Sequence, residues 1–87
     1  MPGGYGTFAA PTEAQIAVFE QAITQVMGVT YTPLLVATQI VNGTNYLFIA
    51  QKTIINATQD STLETVRIYQ ALDGTSSLVS IDPFNAN

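Results

Sequence analysis

The chain has 87 residues and a formal charge of −4, from six acids against Lys52 and Arg67, with neither cysteine nor histidine. A chain this short holds one small domain with a modest core, and a 47% hydrophobic content with few charges argues for a folded domain rather than a disordered segment. Two cations are too few to neutralise a nucleic-acid backbone or grip an anionic membrane, and the lack of Cys and His removes disulfides, the usual zinc ligands and Cys–His nucleophile chemistry.

Residues 1–11 are rich in Gly and Pro: Pro2, Gly3, Gly4, Gly6 and Pro11. The spacing predicts a partly flexible segment, with Tyr5, Thr7 and Phe8 available for a short strand. This start is neither basic nor hydrophobic, so it does not read as a secretory signal. No apolar run reaches the roughly 18 residues of a membrane-spanning helix. The expectation is a cytoplasmic protein, with a secreted one whose signal has been trimmed away as the alternative. Thr12-Glu13-Ala14-Gln15 then fits a capping box, in which Thr12 caps a helix start and Gln15 reaches back to it. Ile16, Phe19, Ile23, Val26 and Met27 follow at intervals of three and four, the stripe of an amphipathic helix, and Gly28 is its predicted stop.

From Tyr31 the chain turns β-branched and aromatic. Tyr31 to Val41 reads as a long strand, with Pro33 near its start where a missing N–H is tolerated. Asn42-Gly43 is a hairpin dipeptide suited to a type I′ turn, which needs positive φ at both central residues. Tyr46 to Ile55 is a second strand, Asn56 to Ser61 a polar connection, and Leu63 to Leu72 a third strand, in which Val66 and Ile68 alternate with Thr65, Arg67 and Tyr69. Asp73-Gly74 is a second hairpin dipeptide, and Leu78 to Ile81 a fourth strand stopped by Pro83. A helix followed by a meander predicts a single α+β domain over residues 1–87. The helix would lie across a curved antiparallel sheet of four to five strands.

The spelling of the first hairpin carries a resemblance. Gln39-Ile40-Val41-Asn42-Gly43, continued by Thr44-Asn45-Tyr46, is similar to the first inhibitory hairpin of the cystatins, and most similar to the stefin branch, whose hairpin reads Gln-Val-Val-Ala-Gly-Thr-Asn-Tyr. Met1-Pro2-Gly3-Gly4 resembles the stefin N-terminus with its Pro-Gly pair and functional glycine. Ile16-Ala17-Val18-Phe19 is similar to the Leu-Ala-Arg-Phe segment of plant cystatin helices. Leu72-Asp73-Gly74 falls where stefins place Leu-Pro-Gly in their second binding hairpin, and the order of elements also matches. Two departures stand out: Asp73 replaces the family proline, and the chain has no Trp.

The resemblance implies a cystatin-like fold and a reversible, competitive inhibitor of papain-like cysteine proteases. Such a protein catalyses nothing and needs no cofactor or metal. It occludes the cleft with three segments, here Gly3 and Gly4, then Gln39, Ile40, Val41, Asn42 and Gly43, then Leu72, Asp73 and Gly74. Either Gly3 or Gly4 can be the counterpart of the family glycine; Gly3 ranks first because it follows Pro2. Glycines would let the main chain approach the cleft walls. The alternative is a structural or protein-interaction domain of the same shape without protease binding. A third possibility, a small-ligand pocket, requires an apolar cavity between Phe19 and the strands. The expected assembly is a monomer or a domain-swapped dimer.

Glu13, Glu20, Asp60 and Glu64 read as solvated surface, with no pair marked for catalysis and no partner base. Asn42-Gly43-Thr44 and Asn56-Ala57-Thr58 both fit the N-glycosylation pattern. A glycan on Asn42 would cap the hairpin and block a wedge, so the inhibitor reading expects a compartment without glycosylation.

Overall fold

The computed structural model describes residues 4–23, 28–55 and 60–84. Its helix, α1, spans Glu13–Ala22. The capping box forms as expected: the Gln15 N–H donates to Thr12 Oγ1 at 3.2 Å, and the Thr12 N–H donates to Gln15 Oε1 at 2.8 Å. The helix is shorter than its apolar stripe suggests. It closes at Ile23, whose N–H bonds the Phe19 carbonyl at 2.8 Å, so Gly28 is not its stop. No cation sits in the last turn to meet the helix dipole. The sequence from Ile23 through Thr24 to Val26 is also rich in β-branched residues, which are weak helix formers. Val26 and Met27, the end of the expected stripe, lie outside the described residues, as do Gly3 and Asn56. Gly28, at φ +82°, instead leads into the first strand.

Four strands follow: β1 Val29–Val41, β2 Gly43–Ile54, β3 Ser61–Gln70 and β4 Ser76–Pro83. They form one antiparallel sheet in chain order. Outside β1 the N-terminal segment adds a fragment of a fifth line. Ala9 and Val36 exchange both backbone bonds, at 3.0 and 2.9 Å, and the Gly6 N–H reaches the Thr38 carbonyl at 2.9 Å.

One row of side chains runs across all four strands on the helix side: Val36 opposite Phe48, Phe48 opposite Val66, and Val66 opposite Ile81. The Phe19 ring meets Phe48 edge-on, with centroids 4.8 Å apart and planes at 65°. Phe19 is 1% exposed and Phe48 0%. Val18, Ala50 and Ile68 complete the core, with Ala22, Ile23, Tyr31, Tyr46 and Ile81 packed against it. Val18 was absent from the expected stripe; the helix is rolled so that Val18 and Phe19 together face the sheet. The space a small-ligand pocket would need is occupied by the Phe19–Phe48 pair.

Two bulges interrupt the sheet's regular pairing. The register slips between Pro33 and Leu35, making Leu34 the extra residue of β1, and between Arg67 and Ile68, making Val79 the extra residue of β4. The molecule measures 47 × 31 × 21 Å, and a 13-residue strand spans about 43 Å. The strands therefore run along the long axis, and what their ends carry lies at its two poles.

Candidate functional site

Both hairpin tips lie at one pole. β1 ends and β2 begins at Asn42; β3 ends at Gln70 and β4 begins at Ser76; Thr44 pairs with Gln70 between them. The N-terminal segment runs antiparallel to β1, passing Val36 at Ala9 and Thr38 at Gly6, so its direction carries Gly4 toward the same pole. Of the three sequence-derived segments, the described parts thus come together.

The first tip is not a two-residue turn. Val41 pairs with Gly43 and Ile40 with Thr44, leaving Asn42 alone at the apex. A two-residue turn would have paired Val41 with Thr44 and moved β1 one residue along β2. Ile40 is 69% exposed, and the Asn42 side chain is exposed as well. Val41 is half-buried, and Gln39 is held by its cross-strand neighbour, with the Asn45 amide donating to Gln39 Oε1 at 3.0 Å.

Gly43 departs from its expected role. It is buried, with φ +112°. A Cβ there would lie 2.5 Å from the Tyr69 hydroxyl and 2.6 Å from the Gln70 carbonyl oxygen. The glycine is required by its own sheet: Tyr69, diagonal to it across β2 and β3, lays its ring over the bare backbone. The Tyr69 hydroxyl also donates to the Asn42 carbonyl. The tip therefore presents the side chains of Ile40 and Asn42, and the Gly43 main chain is covered.

The second tip is a three-residue loop, Leu72 to Gly74, rather than an Asp-Gly two-residue turn. The Gly74 N–H bonds the Ala71 carbonyl at 2.9 Å, and the Ala71 N–H bonds the Thr75 carbonyl at 2.9 Å. With Gly74 at φ +93°, this is a turn closed by a left-handed residue. Leu72 projects from it, 79% exposed. The Thr75 N–H donates to Asp73 Oδ1 at 2.9 Å, and this bond holds the Asp73 carboxyl below its ordinary pKa. Asp73 is the one charged side chain on either tip.

Sequence reasoning missed two residues at this pole. Tyr69 was read only as the polar side of a strand, and Gln70 had no assigned role. Gln70 accepts the Tyr46 hydroxyl on Oε1 at 3.0 Å and donates from Nε2 to the Gly74 carbonyl at 3.3 Å. Tyr46 in turn stacks on Phe48, with centroids 5.8 Å apart, and so packs in the sheet. Both assignments depend on the pairing of β2 with β3, for which the sequence offers no local signal.

Glu64 also differs from expectation. Instead of solvated surface, it is half-buried toward the other pole. It accepts the Tyr31 hydroxyl at 3.5 Å and lies 3.9 Å from Lys52 Nζ. Burial first, then the Glu64 charge, push the Tyr31 phenol above its usual pKa. This cluster shares no residue with the tips. Comparison of the chain with protein-family models, with curated proteins and with solved structures finds no match.

Proposed function

We propose that this chain is a reversible, competitive inhibitor of papain-like cysteine proteases, with a cystatin-like fold closest in character to the stefins. One observation carries the reading: the N-terminal segment and two hairpin tips share one pole, and the tips offer the exposed apolar side chains Ile40 and Leu72. A narrow apolar edge of this kind can fill a protease cleft without reacting in it. The Gln39–Asn45 bond and the Tyr69 contact stiffen the first tip, so little freedom is lost on docking. Gly4 reaches this pole as backbone only, which suits close passage along a cleft wall. The contacting set in this reading is Gly3 and Gly4, Gln39 to Asn42, and Leu72 to Gly74, with Gly43 acting from beneath.

The test is inhibition of papain by the purified chain, with competition against a peptide substrate. A dissociation constant tighter than about 100 μM, about 5.5 kcal/mol of binding, supports the reading; a weaker one rejects it. The covered Gly43 and the charged Asp73 favour a second reading, an interaction domain of the same shape that binds a different partner. In that case Val41→Asp leaves the physiological partner bound.

A further inference from the structure

We propose that Tyr69 and Gln70, adjacent at the end of β3, are positioning residues that hold the two tips in a fixed relation to each other. Strand pairing alone does not do this. The ladder between the two hairpins stops at Thr44 opposite Gln70, and beyond it each tip is a short loop on its own hairpin. The two residues reach past that end on opposite faces, as successive strand residues must. On the open face the Tyr69 hydroxyl donates to the Asn42 carbonyl at the first apex. On the helix side Gln70 Nε2 donates to the Gly74 carbonyl of the second tip at 3.3 Å.

The donor directions are fixed by chemistry. A backbone carbonyl only accepts, so the Gln70 amide nitrogen must face Gly74, which leaves Oε1 for the Tyr46 hydroxyl at 3.0 Å. Tyr46 stacks on Phe48, and Phe48 meets Phe19. The second tip is thereby tied to the core through two side chains, and the first is clamped by a ring already seated on Gly43. For binding, the consequence rests on the inhibitor reading: two apolar points, Ile40 and Leu72, arrive at a cleft already spaced. The brace itself does not depend on that reading.

The experiment uses the full chain and two shape-preserving variants. Tyr69→Phe keeps the ring over Gly43 and removes the donor. Gln70→Glu keeps the oxygen that accepts from Tyr46 and removes the donor to Gly74. Amide hydrogen exchange by NMR is read at residues 42–44 and 72–75, alongside papain inhibition. Tyr69→Phe is expected to speed exchange at 42–44 alone, and Gln70→Glu at 72–75 alone. Each change is about fivefold, the effect of one lost hydrogen bond. The inhibition constant rises by about the same factor in each. The Gln70→Glu defect shrinks near pH 4, where the introduced carboxyl gains a proton and can donate again; a purely structural loss would not recover this way. Unchanged exchange at both tips overturns the brace, as does unchanged inhibition by both variants while the parent chain inhibits. If the parent chain fails to inhibit papain, the inhibitor reading falls alone, and the exchange result still decides the brace.

Discussion

Among the described glycines, Gly43 has the least room for an added methyl, and the cost of replacing it by Ala follows from two separate causes. Gly43 has φ +112°, where an L side chain is strained by roughly 1–2 kcal/mol. The added methyl would stand 2.6 Å from the Gln70 carbonyl oxygen and 2.5 Å from the Tyr69 hydroxyl. The hydroxyl can swing aside, but the carbonyl belongs to the β2–β3 ladder, and shifting it costs about another 1–3 kcal/mol. The sum is about 2–5 kcal/mol, in a domain whose whole stability is on the order of 4–13 kcal/mol at 87 residues. Thermal unfolding followed by circular dichroism should show a fall in Tm of at least about 8 °C, at roughly 4–8 °C per kcal/mol. Gly74→Ala isolates the first cause, because φ is +93° and no atom lies within 4 Å of the new methyl; it should lose only about 1–2 kcal/mol. Gly4→Ala has neither cause and should leave Tm unchanged. Adding Tyr69→Ala to Gly43→Ala removes one obstacle of the two, so the pair should be less destabilised than the sum of the single changes. If Gly43→Ala is no worse than Gly74→Ala, the first tip is not pressed against β3 and the account of Gly43 is wrong.

Ile40→Asp and Leu72→Asp change exposed side chains, so the unfolding free energy from denaturant titration should change by under about 0.5 kcal/mol. On the inhibitor reading, papain inhibition should weaken at least about tenfold for each, and retention of full inhibition by both would reject the two-point edge. Phe48→Ala opens the centre of the core row and should cost about 3–5 kcal/mol, with loss of near-ultraviolet aromatic signal; a loss under about 1 kcal/mol would contradict the Phe19–Phe48 packing. Deleting Leu34 brings the pairs Leu35–Ile49 and Pro33–Ala50 next to each other in one regular ladder. The shortened chain should fold with the same exchange-protected strands, at a loss of about 1–3 kcal/mol from a flatter strand, whereas an unfolded product would mean the bulge itself sets the register. Asp73 should titrate below a free aspartate by carboxyl NMR, because the Thr75 N–H favours the ionised form. Since its folded pKa is depressed, its contribution is present above the unfolded value and fades as pH falls through the folded one. A midpoint at or above the free value would remove the bond to Thr75.

Local chemistry made the order of elements readable. Thr12 and Gln15 spell a capping box that forms as read, and the run of β-branched residues from Tyr31 separates helix from sheet without ambiguity. What local chemistry does not encode is which face a residue takes once a strand slips. β1 has no single alternation: Tyr31 and Pro33 lie on the helix side below the bulge, Val36 and Thr38 above it, and Leu34 and Leu35 at the slip are equally apolar. A period of two applied to the whole strand fails for that reason. The same limit applied at the candidate site. Ile40, Asn42, Leu72 and Asp73 are visible as tip residues because turn dipeptides mark tips. Tyr69 and Gln70 act through a neighbouring strand, and only the β2–β3 register brings them to Asn42 and Gly74.

The register also explains why an Asn-Gly pair, a strong signal for a two-residue turn, does not make one here. With β2 held by β3, a two-residue turn would set Phe48 opposite Ala37 instead of Val36. The core row would then carry Ala where it now carries Val, and Val36 would face away from the helix. The difference of two buried carbon groups is worth about 1.6 kcal/mol at 0.8 kcal/mol each, before any cavity beside Phe48 is counted. A turn preference expressed through one dipeptide does not outweigh that when the displaced residue is buried opposite Phe48 in the core cluster. The core therefore fixes the pairing, the pairing leaves Asn42 alone at the apex, and the left-handed conformation falls on Gly43 under Tyr69. The exposed character of Ile40 at the tip is a consequence of where Val36 must point.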